Sequence, residues 1–206
     1  MARTTRNPEA RTPIVEAAWR LVAAEGVHGA TMRRIAAEAG VTTGSVTHYY
    51  DDKQALLADV VRHNNLRSRD RVLAAIGGHR GLVALEAAVE AMLPLDAGRR
   101  REWRVGVACW GPTAPGERAA EELRGGWRAL QRLLATLLEQ AVEDGDLPGT
   151  VEVRYEAGRL VTLIAGVGML AGIESPQRIR RDAKRMLADQ LAGLERGRPD
   201  KEAMDR

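Results

Sequence analysis

The segment from Thr31 to Lys53 constrains the fold of this chain more than any other stretch, because it predicts two short helices joined by a tight turn. Its sequence is TMRRIAAEAGVTTGSVTHYYDDK. Thr31 and Thr42 each precede a run with apolar residues at helical spacing, and threonine is a favourable N-cap. Gly40 falls between the two runs, where a tight turn needs a positive φ that glycine adopts without steric cost. The segment therefore predicts a helix-turn-helix unit.

The second predicted helix divides into a buried and an exposed face. Val46, Tyr49 and Tyr50 fall at the spacing of an inward face, which leaves short hydroxyl side chains and one imidazole pointing outward. Hydroxyl groups can donate to or accept from base edges and phosphates, so this face predicts contact with double-stranded DNA. A solvated polar face on a small helical protein is the alternative. The predicted DNA-binding residues are Thr31, Thr42, Thr43, Gly44, Ser45, Thr47, His48, Tyr49 and Lys53.

This motif resembles the DNA-binding domain of the TetR family of transcriptional regulators. The family pattern runs from a capping Thr through IA, AGV, a Ser or Thr, a glycine and a YF or HYF group to a lysine. The resemblance is greatest to the branch that contains repressors of choline-to-betaine pathways. One departure is Tyr50, which stands where Phe is usual and brings a hydroxyl that needs a partner or water. The matching residues are Thr31, Ile35, Ala36, Ala39 to Val41, Thr42, Gly44, His48 to Tyr50, and Lys53.

The chain is predicted to be all-α, since no stretch sustains the period-two alternation of a strand. A first helix is predicted to start at a Thr12 cap followed by Pro13, and a fourth to run from Lys53 to about Ala75. Five further helices are predicted at about residues 82–93, 100–110, 115–143, 152–173 and from Ser175 onward, giving about nine. The resemblance implies a three-helix DNA-binding domain over residues 1–53 and a helical ligand-binding and dimerisation domain over residues 54–206.

Charge and cysteine content narrow the function only slightly. A formal net charge of +3 over 206 residues is too small to identify a nucleic-acid binder by itself. Arg3, Arg6 and Arg11 form a basic N-terminal arm that could reach a groove or phosphates, or could be a disordered tail. One cysteine excludes an internal disulfide framework, and the uncharged run 160–173 is too short to span a bilayer. We therefore expect a cytoplasmic protein without a membrane segment.

The last two predicted long helices are the candidate dimer interface. Their small residues would let a partner helix approach closely, although ordinary packing within the chain is the alternative. The TetR resemblance implies a homodimer through these helices, and a helix-turn-helix dimer binds an inverted repeat. The small residues are Ala165, Gly166, Gly168, Ala171 and Gly172.

A small-molecule site is predicted less directly. The resemblance places a ligand cavity on the middle helices, which carry Met92, Trp103, Trp110 and Trp127, together with Cys109. Core packing is the alternative for every one of these residues. If several of the tryptophans faced one cavity with a carboxylate, a quaternary ammonium ligand would be favoured by cation–π attraction. The carboxylates considered are Glu86, Glu90 and Glu122.

No motif predicts catalysis, a metal site or a cofactor. Cys109 with His48, His63 or His79 lacks any local nucleophile motif, the four histidines lack metal-ligand spacing, and no glycine-rich phosphate loop occurs. With the helix-turn-helix, the TetR resemblance therefore implies a non-enzymatic, homodimeric transcriptional repressor that a small-molecule inducer releases from its operator. An activator or a ligand-blind regulator of the same fold is the first alternative, and a helical small-molecule carrier without DNA binding is the second.

Overall fold

The computed structural model describes residues 11–110 and 116–196. Within these ranges the regular structure consists of nine α-helices and no strand, which confirms the predicted fold class. The helices are α1 Thr12–Gly29, α2 Met32–Glu38, α3 Thr43–Tyr49, α4 Lys53–Ile76, α5 Gly81–Met92, α6 Ala97–Ala108, α7 Gly116–Glu143, α8 Val153–Leu170 and α9 Pro176–Glu195.

The chain divides into two compact units. The first comprises residues up to 67 together with residues 101–125, and the second comprises residues 68–100 and those from 126 onward. Three helices, α4, α6 and α7, therefore contribute to both units. The predicted functional boundary after residue 53 does not coincide with this division, and the assignment of functions to residues 1–53 and 54–206 stays a prediction.

Three helices start at a predicted N-cap residue. The side chains of Thr31, Thr42 and Ser175 accept hydrogen bonds from the backbone N–H groups three residues later, at 3.3, 3.0 and 3.3 Å, so these predicted caps are confirmed. The predicted Thr12 cap is wrong. Thr12 lies inside α1, because the backbone of Arg11 is already in the helical region and makes Arg11 the N-cap without a side-chain bond.

Two predicted helix ends also need correction. The helix expected to start near Arg100 begins at Ala97, because Asp96 Oδ1 accepts a hydrogen bond from the Arg99 N–H at 2.8 Å and so caps the first turn. The helix expected to reach Ile173 ends at Leu170, and residues 171–173 form a turn. The start predicted at Pro115 lies outside the described residues.

The core of the first unit holds the helix-turn-helix in place. Ile14 and Val22 of α1, Ile35 of α2, Val46 of α3 and Leu56 of α4 are all buried in one apolar cluster. Their burial fixes which face of α3 is left to solvent, since the inward side chains on this short helix lock its rotation.

The core of the second unit joins α8 to α9. Leu160 and Ile164 of α8 are fully buried, and Leu187 of α9 is nearly so. The buried Glu156 carboxylate accepts hydrogen bonds from Arg159 at 3.0 Å and from Gln190 of α9 at 3.0 Å. No helix in the described part of the chain is both long and apolar enough to cross a membrane.

Candidate nucleic-acid interface

The exposed face of α3 is the candidate interface, and its geometry follows from the turn before it. Gly40 adopts a φ of +69°, the conformation that the sequence predicted for this position. The turn leads into the Thr42 cap, after which Val46 and the C-cap residue Tyr50 are buried. Tyr49, predicted to face inward with them, is half-buried.

Three of the four side chains predicted to face outward are exposed. Thr43, Thr47 and His48 are exposed, and Ser45 is half-buried. Two of the hydroxyls are oriented by local hydrogen bonds: Ser45 Oγ lies 2.9 Å from Thr42 Oγ1, and Thr47 Oγ1 donates to the Gly44 carbonyl at 3.1 Å. Hydroxyl oxygens held in this way keep lone pairs for further hydrogen bonds, so the face offers preoriented acceptors and donors.

Gly44 occupies this exposed face without a packing reason among the described residues. Its φ is not positive, and a Cβ at this position would meet only Thr42 Oγ1, at an ordinary 3.7 Å. Glycine inside a helix costs about 1 kcal/mol relative to alanine. The free surface beside Gly44 would allow an external backbone to approach α3 closely.

Of the other predicted contact residues, Thr31 precedes α2, and His48 and Tyr49 are the last two residues of α3. Thr31 is exposed at the start of α2, where it acts as the cap. The Tyr49 ring packs edge-on against His48 with ring centroids 5.2 Å apart. These observations place Thr31, Tyr49 and His48 at the surface of the first unit, where their DNA-binding roles stay predictions.

Lys53 has a structural partner that the sequence did not indicate. Its ammonium donates to the Val27 carbonyl at 2.6 Å, just after Gly26 interrupts α1 with a φ of +74°. Partial burial lowers the pKa of Lys53. Because an ammonium carries three N–H donors, this bond still allows a phosphate contact.

The Tyr50 hydroxyl, which the usual Phe would lack, has a partner in Asp59. It donates to Asp59 Oδ2 at 2.9 Å, and the Arg11 guanidinium lies over the Tyr50 ring at 4.8 Å. Burial, followed by the nearby Asp59 carboxylate, raises the pKa of Tyr50 to about 12. Sequence reasoning missed Asp59 because nothing local marks it as a partner. Arg3 and Arg6, the other arginines of the predicted arm, lie outside the described residues.

The predicted ligand residues are distributed between the two units. Trp103 is buried and Trp110 half-buried in the first unit, whereas Met92 and Trp127 are half-buried in the second. Their ligand-binding roles stay predictions.

The carboxylates considered for a cationic ligand are mostly engaged. Glu122 forms an ion pair with Arg62, and Glu90 lies 3.9 Å from the Lys184 ammonium. Glu86 is exposed on α5. This arrangement gives no support to the idea that Glu90 or Glu122 binds a quaternary ammonium group.

The chemistry of Cys109 does not suit a nucleophile. The thiol is fully buried, and burial raises its pKa to about 11, so it stays protonated near neutral pH. His63 instead packs edge-on against Trp19, whose indole N–H donates to Asn64 at 2.8 Å. Among the described residues, no group of three or more His, Cys, Asp or Glu side chains could hold a metal ion.

We expect the burial of Cys109 to make the protein sensitive to alkali. Its pKa is about 9 in the unfolded chain and about 11 in the folded one, so between these values the unfolded state binds fewer protons and rising pH favours unfolding. The free energy of unfolding is not affected by titration of this group below pH 9, and it decreases by about 2–3 kcal/mol as the pH rises towards 11. Thermal unfolding midpoints between pH 8 and pH 10.5 should fall less steeply for Cys109→Ala than for the wild type. Parallel curves for the two proteins would contradict this assignment.

The small residues predicted at a dimer interface lie among exposed apolar side chains. Gly166 and Gly172 are exposed, Ala165 and Ala171 are half-buried, and Gly168 is buried. On the same two helices and the turn between them, five large apolar side chains are exposed: Tyr155, Met169, Leu170, Ile173 and Met186.

Comparison with known proteins assigns both ends of the chain to recognised sequence families. Residues 14–60 match the pattern described as bacterial regulatory proteins of the tetR family. Residues 83–194, more than half of the chain, match the pattern described as the C-terminal region of BetI-type transcriptional repressors.

Individual relatives agree with these matches over nearly the whole chain. The transcriptional regulator PksA of Bacillus subtilis is 25% identical over 198 residues, which is 94% of each protein. A transcriptional regulator from Rhodococcus sp. Rha1 has a similar structure, with a TM-score of 0.74, 26% identity and coverage of 94% of this chain and 100% of that one. A regulator from Saccharomonospora viridis, solved with choline, superposes with a TM-score of 0.77 at 24% identity, over 87% of this chain and 96% of its own.

Proposed function

The chain belongs to the TetR family of transcriptional regulators, with a C-terminal region of BetI type, and on that premise we propose that it is a homodimeric repressor released from DNA by a small molecule. The homodimer would bind an inverted-repeat operator through two copies of α3, one in each of two successive major grooves. Cytoplasmic location follows from this role, since the operator lies on the chromosome. The protein would act by binding alone, without catalysis.

The observation that carries the proposal is the face of α3. Its hydroxyl and imidazole groups point outward while Val46 and Tyr50 anchor the helix in the core. Thr43, Ser45 and Thr47 can read base edges, and the threonine methyl groups can pack on a thymine methyl. Gly44 supports the same role, since its open surroundings suit close approach of a DNA strand.

Residues at the two ends of α3 and at the start of α2 would hold the phosphate backbone. Thr31 and Thr42 lie at helix N-termini, where backbone N–H groups and the helix dipole favour anions. The Tyr49 hydroxyl and the Lys53 ammonium would donate to phosphates, and His48 could reach a phosphate or a purine N7. Such contacts fix the register of α3 in the groove but carry no sequence information directly.

The inducer would bind in the C-terminal region. The BetI-type match covers Met92, Trp103, Trp110 and Trp127, the four residues predicted to contact it. Solved relatives of this fold hold ligands as different as choline, in the Saccharomonospora viridis regulator, and stearoyl-CoA, in FadR of Bacillus subtilis. Because those relatives share less than a quarter of their residues with this chain, they support a small-molecule site without naming its ligand.

Release would be a shift of population between two states. An inducer that binds more tightly to the state with the wrong spacing of the two α3 helices lowers the fraction able to bind the operator. A coupling free energy of about 1–3 kcal/mol would weaken operator binding by roughly 5–150-fold.

Selection of bound sequences from a random duplex pool tests the proposal. The affinity for the selected sequence is then measured at several salt concentrations. We expect an inverted repeat and a steep decrease of affinity with salt, because several phosphates are neutralised. Failure of the folded protein to enrich any sequence would favour the small-molecule carrier. A reporter gene behind the selected operator then distinguishes repression from activation.

A further inference from the structure

The carboxylate of Asp59 on α4 joins three parts of the first unit. Its Oδ2 accepts hydrogen bonds from the Tyr50 hydroxyl at 2.9 Å and from the Arg11 guanidinium at 2.6 Å. Its Oδ1 accepts from Arg62 Nη1 at 3.1 Å. The Asp59 side chain is 16% exposed, so water competes only weakly for these bonds. Tyr50 closes the C-terminal end of α3, and Asp59 is therefore bonded directly to the end of the DNA-reading helix.

Arg62 extends this network to α7. Its Nη2 and Nε donate to Glu122 Oε1 at 2.6 and 3.0 Å, while Asn65 donates to the Glu122 backbone carbonyl at 2.8 Å. The Glu122 hydrogen bond raises the pKa of Arg62. The N-terminal part of α7 is thus attached to α4 about one helical turn after Asp59.

Arg62 is shared between two carboxylates, and this sharing makes the network sensitive to the position of α7. With Glu122 in place, two guanidinium groups are balanced by two carboxylates. If Glu122 moved away, Arg62 would keep Asp59 as its carboxylate partner and would be drawn toward it. The guanidinium would then compete with the Tyr50 hydroxyl for the Asp59 oxygens, which would loosen the end of α3.

We propose that Tyr50, Asp59, Arg62 and Glu122 form a relay by which the position of α7 controls the order of α3. Asp59, Arg62 and Glu122 are positioning residues, since each acts on DNA binding through another group. The proposal rests on the proposed function, in which α3 reads the operator. The usual Phe at the Tyr50 position has no hydroxyl, so the link to α3 is particular to sequences with Tyr there.

A double-mutant cycle between Glu122→Gln and Tyr50→Phe tests the relay. Both changes conserve shape: the first removes the charge that holds Arg62, and the second removes only the hydroxyl that binds Asp59. The first readout is hydrogen–deuterium exchange of the α3 backbone amides, which needs neither DNA nor inducer. Glu122→Gln should speed this exchange at least about threefold in the wild-type background and leave it nearly unchanged in the Tyr50→Phe background.

The second readout is affinity for the selected operator in the same four proteins. Glu122→Gln should weaken binding at least about threefold with Tyr50 present and much less with Tyr50→Phe. Glu117→Gln is the matched control, because Glu117 lies on the same helix but pairs with Arg124 of that helix. It should change neither readout.

The two readouts separate the relay from the proposed function. Equal effects of Glu122→Gln in both backgrounds, or no effect in either, would overturn the relay even if the operator is bound. Background-dependent exchange in a protein that selects no DNA sequence would support the coupling between α7 and α3 and would overturn the proposed function instead.

Discussion

Thr43→Glu should strongly weaken operator binding at physiological salt while leaving the fold intact. Thr43 is exposed at the start of α3, where an acidic side chain suits the helix dipole, so the helix should persist. A carboxylate at this point would face the DNA phosphates and bases that α3 is proposed to contact. Like-charge juxtaposition of this kind costs several kcal/mol, and we expect affinity to fall on the order of 100-fold. Fluorescence anisotropy with the selected operator measures the change.

Two control variants isolate the cause of that loss. Thr43→Gln introduces a side chain of nearly the same size as Glu but without the charge. It should lose far less affinity, and that loss should come mainly from removing the threonine hydroxyl and methyl groups. Ala129→Glu adds the same charge at an exposed position of α7 in the second unit and should leave binding close to wild type. Equal binding by Thr43→Glu and Thr43→Gln would show that α3 does not face DNA.

The helix-turn-helix could be predicted from the sequence because its determinants are local. Thr31 and Thr42 act on N–H groups three residues away, and Gly40 supplies its own backbone conformation. Val46 and Tyr50 follow the periodicity that separates a buried from an exposed face. The start of α6 was misplaced although its signal is also local, since Asp96 is a favourable cap that the prediction overlooked.

The relay could not be predicted because its determinants are distant in sequence. Arg62 and Glu122 are 60 residues apart, and each is an ordinary surface charge when considered alone. The hydroxyl of Tyr50 indicated that a hydrogen-bond partner was needed. Its position did not identify that partner as Asp59, which lies nine residues later in the sequence. Ligand-binding residues are even harder to predict from sequence, because a tryptophan in a core and a tryptophan lining a cavity have the same helical spacing.

Met169→Glu combined with Met186→Glu should convert the protein to monomers and lower operator affinity. Both side chains are about half exposed on α8 and α9, and Ile173 in the turn between these helices is 82% exposed. Large apolar side chains grouped on adjacent helices favour a protein interface, here a second copy of the same helices. Two buried carboxylates per subunit would oppose that contact. Sedimentation velocity measures the change in mass.

The matched control moves the same substitutions to other exposed apolar residues of the second unit. Leu73→Glu with Val83→Glu changes α4 and α5 and should leave the dimer intact. A dimer that survives the Met169 and Met186 changes would place the interface elsewhere.

The monomer also tests how much each of the two α3 helices contributes to operator affinity. Joining two DNA-binding surfaces raises affinity by roughly 10²–10⁴-fold over one alone, so the monomer should bind the full operator at least about 100-fold more weakly. It should bind a single half-site and the whole inverted repeat with nearly equal affinity. Its dependence on salt should be about half as steep as that of the wild type, because half as many phosphates are neutralised. An unchanged salt slope in a proven monomer would mean that one subunit makes all the phosphate contacts, which a symmetric repressor on an inverted repeat does not permit.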